Sequence, residues 1–248
     1  NLSLLNWASY FGGSANENLN GIKLDKNENI FICGGTNSNN LKNITNNFNG
    51  YFDGYIAKIN SNATQVIASR YLGTTDYDQA FLIDLDDNDN IVLFGQTAGA
   101  YPVSSGVYYN NHAGQFIHKL NNQLNSTIFS TVFGSDSAMN ITPTALMVDI
   151  CGHIYAVGWG GGFYINENIG NTFGMPVTPD AFQDSTDGND FYFINLNRDA
   201  TQLIYATYFG EYGGIGDHVD GGTSRFDKHG VVYQAVCASC AGTDWFPV

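Results

Sequence analysis

Two stretches of this chain set oxygen-bearing side chains at alternate positions. Asp25-Lys26-Asn27-Glu28-Asn29 and Asp86-Asp87-Asn88-Asp89-Asn90 share the pattern D-x-N-x-N. Calcium loops begin this way, because that cation takes about six to eight oxygen ligands. Asp25, Asn27, Asn29, Asp86, Asn88 and Asn90 are therefore candidate calcium ligands. The same residues also suit a tight hairpin turn, since Asp and Asn tolerate left-handed backbone and bond their own main chain. Neither stretch has the closing Glu of an EF-hand. The corresponding Asp149-Ile150-Cys151-Gly152-His153 and Asp227-Lys228-His229-Gly230 lack the middle oxygens. One local acid–histidine group is present, Asp217-His218-Val219-Asp220, which reads either as part of a metal or acid–base site or as a polar loop. No histidine pair has HExxH or HxH spacing, and no G-x-S-x-G element or P-loop occurs, so no residue is assigned a catalytic role. Cys237-Ala238-Ser239-Cys240 is a single CxxC, open to a local disulfide, two free thiols, or a metal or redox role.

A long loop between 159 and 189 concentrates rings: Trp159, Phe163, Tyr164, Phe173 and Phe182. Loops on a rigid scaffold are where binding tends to reside, which makes Trp159, Phe163, Tyr164 and Phe173 candidate ligand contacts. The same rings could instead pack the loop onto its scaffold.

The scaffold that must position these groups is a repeat. Tyr10-Phe11-Gly12 is echoed by Tyr71-Leu72-Gly73, Val132-Phe133-Gly134 and Tyr208-Phe209-Gly210, at steps of 61, 61 and 76 residues. Between these marks the same strand signals recur in order. A short apolar stretch ends in Asp25, Asp86, Asp149 or Asp227; a turn follows; then comes a β-rich run such as Ile30-Phe31-Ile32-Cys33-Gly34 or Ile91-Val92-Leu93-Phe94-Gly95. After a long loop comes a third strand, Tyr55 to Asn60, Phe116 to Asn121 or Phe191 to Asn197, and a fourth carries the Tyr-Phe-Gly mark. A small residue stands two places before each mark (Ala8, Ser69, Ser130, Ala206), which suggests close packing against a neighbouring sheet. Four antiparallel strands repeated at a long period fit the blades of a β-propeller. A row of small sandwiches is the competing all-β arrangement.

The expected organisation is a single array over residues 1–248, with blades near 20–73, 80–134, 144–210 and a partial one at 222–248. Leu4 to Phe11 is expected to be a fourth strand. About three full blades plus parts of two more make an incomplete ring, as in a fragment of a longer chain or one completed by another chain. The loops 36–50, 96–113, 159–189 and 211–222 should gather on one face. With 9 Lys+Arg against 23 Asp+Glu, the net charge is −14, which argues against a nucleic acid or anionic membrane partner. No apolar run approaches the ~20 residues needed to span a bilayer, so membrane insertion is not expected.

These motifs resemble the bacterial β-propeller repeat family known as SBBP repeats. The residues carrying the resemblance are Tyr10-Phe11-Gly12-Gly13, Gly34-Gly35-Thr36, Gly95-Gln96-Thr97, Phe246-Pro247, and Asp53-Gly54-Tyr55-Ile56-Ala57-Lys58-Ile59-Asn60. The second half departs: Trp159-Gly160-Gly161 replaces Gly-x-Thr, and residues 163–174 look inserted. The resemblance extends to large secreted, gliding-associated surface proteins of Bacteroidetes exported by the type IX route. It implies an extracellular, cell-surface location, and a role in adhesion to a protein or glycan, as a rigid spacer, or as cargo of secretion-system components. It assigns no active site and no certain cofactor. The alternative is a hydrolase or lyase on the loop-rich face, using Asp217, His218 or Asp220.

Overall fold

The computed structural model describes residues 4, 7–136, 139–160, 170–211, 217, 224–227 and 229–236. Phe163, Tyr164, His218, Asp220, Cys237, Cys240 and Phe246-Pro247-Val248 lie outside the described residues. Three four-stranded antiparallel sheets follow one another along the chain, each strand pairing with its sequence neighbours. The first holds β1 (Glu17–Leu24), β2 (Ile30–Thr36), β3 (Asp53–Ile59) and β4 (Val66–Leu72). The second holds β5 (Asp78–Leu85), β6 (Ile91–Thr97), β7 (Ala113–Leu120) and β8 (Thr127–Asp136). The third holds β9 (Thr142–Val148), β10 (Ile154–Trp159), β11 (Phe191–Leu196) and β12 (Leu203–Phe209). A two-stranded pair, β13 (Arg225–Phe226) and β14 (Val232–Tyr233), comes after them. This is the all-β, four-strand blade architecture expected from the repeat, and among the described residues the sheets close no ring.

The sheets stack face to face, and the core lies between them. Phe31, Cys33, Ile56 and Leu72 of the first sheet pack on Ile83, Ile91, Leu93 and Phe116 of the second. Val92, Phe94, Ile117 and Phe133 on the far side of the second meet Ile154, Ala156, Tyr192 and Ile194 of the third. Strands β2 and β6 are thus buried along their whole length. That is why they read as unbroken apolar runs rather than alternating ones. The first sheet presents the same kind of face outward. Leu19 and Ile22 are 54% and 59% exposed, whereas Ala80 and Ile83 at the same register of the second sheet are 0% and 5% exposed.

The glycine that closes each β-rich run has a steric reason. A β-carbon on Gly34 would lie 1.9 Å from the Asn18 carbonyl oxygen, on Gly95 2.3 Å from that of Gln79, and on Gly158 2.6 Å from that of Thr142. The first strand bulges beside Gly34 and Gly95, between Leu19 and Gly21 and between Ala80 and Leu82, and presses its backbone onto the second.

Two expectations need correction. Residues 7–11 form no ladder. The third-type strands β3, β7 and β11 already have neighbours on both sides, so the described residues offer this segment no partner; Phe11 instead stacks on Tyr55 at 5.3 Å. The small residues before the Tyr-Phe-Gly marks have a second use, Ala206 lying in the core shared by the second and third sheets. In each blade the loop between the second and third strands runs back along the outer strand as a strap, and it docks at that small residue. Ser69 exchanges backbone bonds with Asn43 and Thr45, Ser130 donates its hydroxyl to the Pro102 carbonyl and receives Ser104 N–H, and Ala206 receives Thr178 N–H. Asn46 completes the first strap by bonding both N–H and C=O of Tyr71 through its side-chain amide. The straps occupy hydrogen-bonding groups on an edge that would otherwise be open to pairing with another chain. They also correct the expectation that these loops simply gather at one end, since they leave that end and descend the outer strands.

Candidate functional site

The four turns after the first strands share one device. In the first, Asp25 Oδ1 accepts the backbone N–H of Asn27 at 2.9 Å and of Asn29 at 2.8 Å, while Oδ2 accepts the Asn29 amide at 2.9 Å. Asp86 does the same with Asn88 and Asn90 at 2.8, 2.9 and 3.0 Å. Asp149 accepts His153 N–H and the Tyr155 hydroxyl, and Asp227 accepts His229 and Val231 N–H. The third strand supplies a cation to the first two. Lys119 Nζ lies 2.9 Å from Asp86, with both side chains 6% exposed, and Lys58 Nζ lies 3.5 Å from Asp25. Asn122 ties Lys58, Asp25 and the Asp89 carbonyl together across the junction of the first two blades.

Burial works to raise the Asp25 and Asp86 carboxyls. Hydrogen bonds from Asn29, Asn122 and Asn27 hold Asp25 below its ordinary value, and bonds from Asn90 and Lys119 hold Asp86 down. Of the residues singled out as calcium ligands, Asn27 and Asn88 have exposed side chains and enter the turn through backbone N–H. The arrangement as it stands is a turn lock, with N–H donors and a lysine on the oxygens a cation would need. Among the described residues, no three His, Cys, Asp or Glu side chains come together as a metal set.

The aromatic candidates separate. Trp159 ends β10 at 6% exposure, in a cluster with Phe191, so it belongs to the interior and not to a binding surface. Phe173 is 52% exposed. The straps of the other blades carry their own exposed rings, Tyr51 at 78% and Tyr109 at 49%, neither of them in the ring-rich loop that residue order marks out. Phe182 leans on Phe209 beside an apolar cavity of about 380 Å³ between the third sheet and the β13–β14 pair.

A second set of acids lies at the opposite end of the sheets, above the glycine of the Tyr-Phe-Gly mark. A β-carbon on Gly73 would stand 2.6 Å from Asp53 Oδ1 and 3.1 Å from Asp78 Oδ2. On Gly210 it would stand 2.0 Å from Asp190 Oδ1 and 2.5 Å from Asp217 Oδ2. Only glycine leaves room for two carboxyl groups there. Exposure is 0% for Asp53 and Asp78, 1% for Asp190 and 2% for Asp217. Oδ1 of Asp53 and Oδ1 of Asp190 have no hydrogen-bond partner. Burial pushes Asp53 up to about 6, opposed by Asn49 N–H and reinforced by the Asp78 charge. Burial likewise pushes Asp190 up to about 7, opposed by Thr186 and reinforced by Asp187 and Asp217. At the middle junction, Gly134 faces neutral amides instead, Asn140 Oδ1 and Gln115 Oε1.

Asp217, the one described member of the acid–histidine group, is thus half of a sealed acid pair. The other acids were missed, although Asp53 and Asp190 both stand seven residues before the asparagine that closes the third strand. His118 is the described histidine with a shifted pKa. Burial, helped by Arg70, pushes it down to about 3, and it sits between the Tyr101 hydroxyl and Thr127 Oγ1, each 2.9 Å away. It is a packed neutral group.

A family model described as Beta-propeller repeat, of the SBBP type, matches residues 6–42, which contain the first Tyr-Phe-Gly mark, β1, its turn lock and β2. No curated protein matches the chain. The chain therefore carries a β-propeller repeat of this type, and two further sheets are built in the same strand order.

Proposed function

We propose that this chain is a non-catalytic propeller segment of an exported bacterial surface protein, and that its straps form a contact surface for a protein or a glycan. The observation behind this reading is that each blade's strap sets an aromatic ring in solvent: Tyr51, Tyr109 and Phe173. Such rings offer large contact area at low entropic cost, and here they stand on hydrogen-bonded straps rather than free loops. Asn and Asp side chains nearby supply polar partners, and the net charge of −14 disfavours anionic ones. Export, and carriage by a secretion apparatus, follow from the family resemblance; fractionation of producing cells tests them.

The binding test pairs a glycan array and a panel of immobilised surface proteins with the variant Tyr51→Ser/Tyr109→Ser/Phe173→Ser. A loss of tenfold or more at unchanged melting temperature supports the strap surface; equal binding refutes it. The second reading, a hydrolase or lyase, draws on the convergence of Asp190 and Asp217. Against it, both acids are shut from solvent. Turnover of a glycan that disappears in Asp217→Asn would decide for the enzyme.

A further inference from the structure

Where the first two blades meet, three side chains of complementary chemistry converge. Lys58 on β3 brings a primary amine, Asn122 in the turn between β7 and β8 brings a carboxamide, and Asp25, directly after β1, brings a carboxylate. Lys58 Nζ donates to Asn122 Oδ1 and, at 3.3 Å, to the Asn122 backbone carbonyl. Asp25 Oδ2 stands 3.5 Å from that amine and accepts the Asn122 Nδ2 amide at 3.4 Å. The Asp89 carbonyl accepts the same Nδ2 at 3.0 Å, which holds the carboxamide with its oxygen toward the lysine. One carboxylate thus lies beside both the nitrogen placed to attack Asn122 Cγ and the nitrogen that would leave it.

The surroundings restrict water. The side chains of Lys58 and Asp25 are 10% and 0% exposed, and Asn122 is half-buried. The buried Phe31 ring covers the amine, with Nζ 5.1 Å from its centroid. A carboxamide is a poor acylating group in solution. An amine held against it by the fold gains an effective molarity that reaches roughly 10⁵–10⁸ M in well-oriented systems.

We propose that Lys58 and Asn122 become joined by an amide bond that the folded chain forms by itself, with Asp25 as the proton carrier. Asp25 Oδ2 takes a proton from the Lys58 ammonium. The freed lone pair attacks Asn122 Cγ, the new C–N bond forms, and the carbonyl electrons move onto Oδ1. Asp25 delivers its proton to Nδ2; the electrons on Oδ1 fall back and the Cγ–Nδ2 bond breaks. Asp25 then passes a second proton from the lysine nitrogen to the departing ammonia. An ammonium and a carboxamide become a secondary amide and an ammonium ion, with no oxidant and no co-reactant. Burial raises the Asp25 carboxyl, but hydrogen bonds from Asn29, Asn122 and Asn27 hold it below its ordinary value. The first proton transfer is therefore uphill, so the bond forms slowly after folding, and the loss of ammonium makes it permanent.

The next junction is an internal control. Lys119 stands one repeat after Lys58 and meets Asp86 at 2.9 Å. Asn122 follows Asn121, which closes a third strand; the residue following Asn197 at the same place is Arg198, which has no carboxamide. The bond is therefore specific to the first junction. It would close a loop of 64 positions and tie two blades covalently, which restricts the unfolded chain as any long-loop cross-link does.

Mass spectrometry of the purified whole chain, fresh and after a week at 37 °C, is the test. The chain should be lighter by one ammonia, and a tryptic digest should contain a branched peptide joining Lys58 to Asn122. Trypsin should fail to cut after Lys58 and still cut after Lys119. Lys58→Arg keeps a cation facing Asp25 but lacks the amine, so it should retain its full mass and melt several degrees lower. Asn122→Ala should also retain its full mass, and serves if the first variant does not fold. In Asp25→Asn, with folding checked by its melting transition, the bond should form at least tenfold more slowly; an equal rate overturns the assignment of Asp25. Full mass and a cleavable Lys58 in the incubated wild type overturn the proposal. So does an ammonia loss that maps to an Asn-Gly pair without a branched peptide, or hydrolysis of Asn122 to aspartate.

Discussion

Replacing Tyr71 by Phe isolates one atom of the strap. The Tyr71 hydroxyl donates to the Ser38 carbonyl at 2.8 Å and accepts the Leu41 N–H at 3.2 Å. Its ring meets Phe48 edge-on at 5.4 Å, a contact that Phe preserves. Tyr71, Ser38 and Leu41 are 2%, 1% and 3% exposed, so water cannot replace the lost oxygen. A hydrogen bond contributes a net ~0.5–1.5 kcal/mol, but stranding a buried donor or acceptor costs ~1–3 kcal/mol, and here both are stranded. The expected loss is therefore about 2–3 kcal/mol. At roughly 2–4 °C per kcal/mol for a chain of this size, the melting temperature should drop by about 5–10 °C. Tyr205→Phe is the control, because its hydroxyl accepts Phe182 N–H at 3.1 Å in an exposed setting and water can substitute. That variant should lose no more than ~0.5 kcal/mol. Thermal melts supply the comparison, and limited proteolysis should find new cleavage within residues 38–50 of Tyr71→Phe only. Equal losses in the two variants, or an unchanged strap digest, would show that the hydroxyl does not hold the strap.

Further measurements probe the other devices. Lys119→Met should cost ~3–5 kcal/mol by leaving Asp86 buried and unpaired, with Asp86→Asn recovering part of the loss, while Lys23→Met at the exposed pair with Asp84 should cost under ~1 kcal/mol; urea titrations distinguish them. Ile83→Ala should destabilise by ~2–5 kcal/mol and its register equivalent Ile22→Ala by no more than ~0.5 kcal/mol, so equal effects in melts of this chain would show the outer face of the first sheet to be covered. Glu28 holds a φ of 62° where Gly152 and Gly230 stand in later turns, and Glu28→Gly should raise the melting temperature by relieving ~0.5–1 kcal/mol; a fall would contradict the strain. Calcium or chelator should leave the melting temperature at pH 7 unchanged, because the Asp25 and Asp86 oxygens already accept N–H donors and face lysines.

The blade itself was legible from residue order alone. Strands buried on both faces must be apolar throughout, and hairpins must turn on Asp, Asn and Gly, so both leave marks at fixed spacing. The Asp of each turn was equally visible, but its chemistry was ambiguous. D-x-N-x-N suits a cation and a turn alike until the lysine from the third strand is seen over the carboxylate. Trp159 looked like a surface ring because it opens a long loop, yet it is the last residue of a buried strand.

Residue order specifies the four-strand unit, its repetition, and the Asp, Gly and small residues that each unit needs. These follow from local geometry: turn dihedrals, strand periodicity, and glycine where two backbones touch. The tertiary structure alone decided which outer strand each strap covers, and that Asp53 meets Asp78 and Asp190 meets Asp217. Those contacts join residues 24 to 33 positions apart, across blades or along an outer edge. No local pattern encodes them, because they depend on how one twisted sheet stacks on the next.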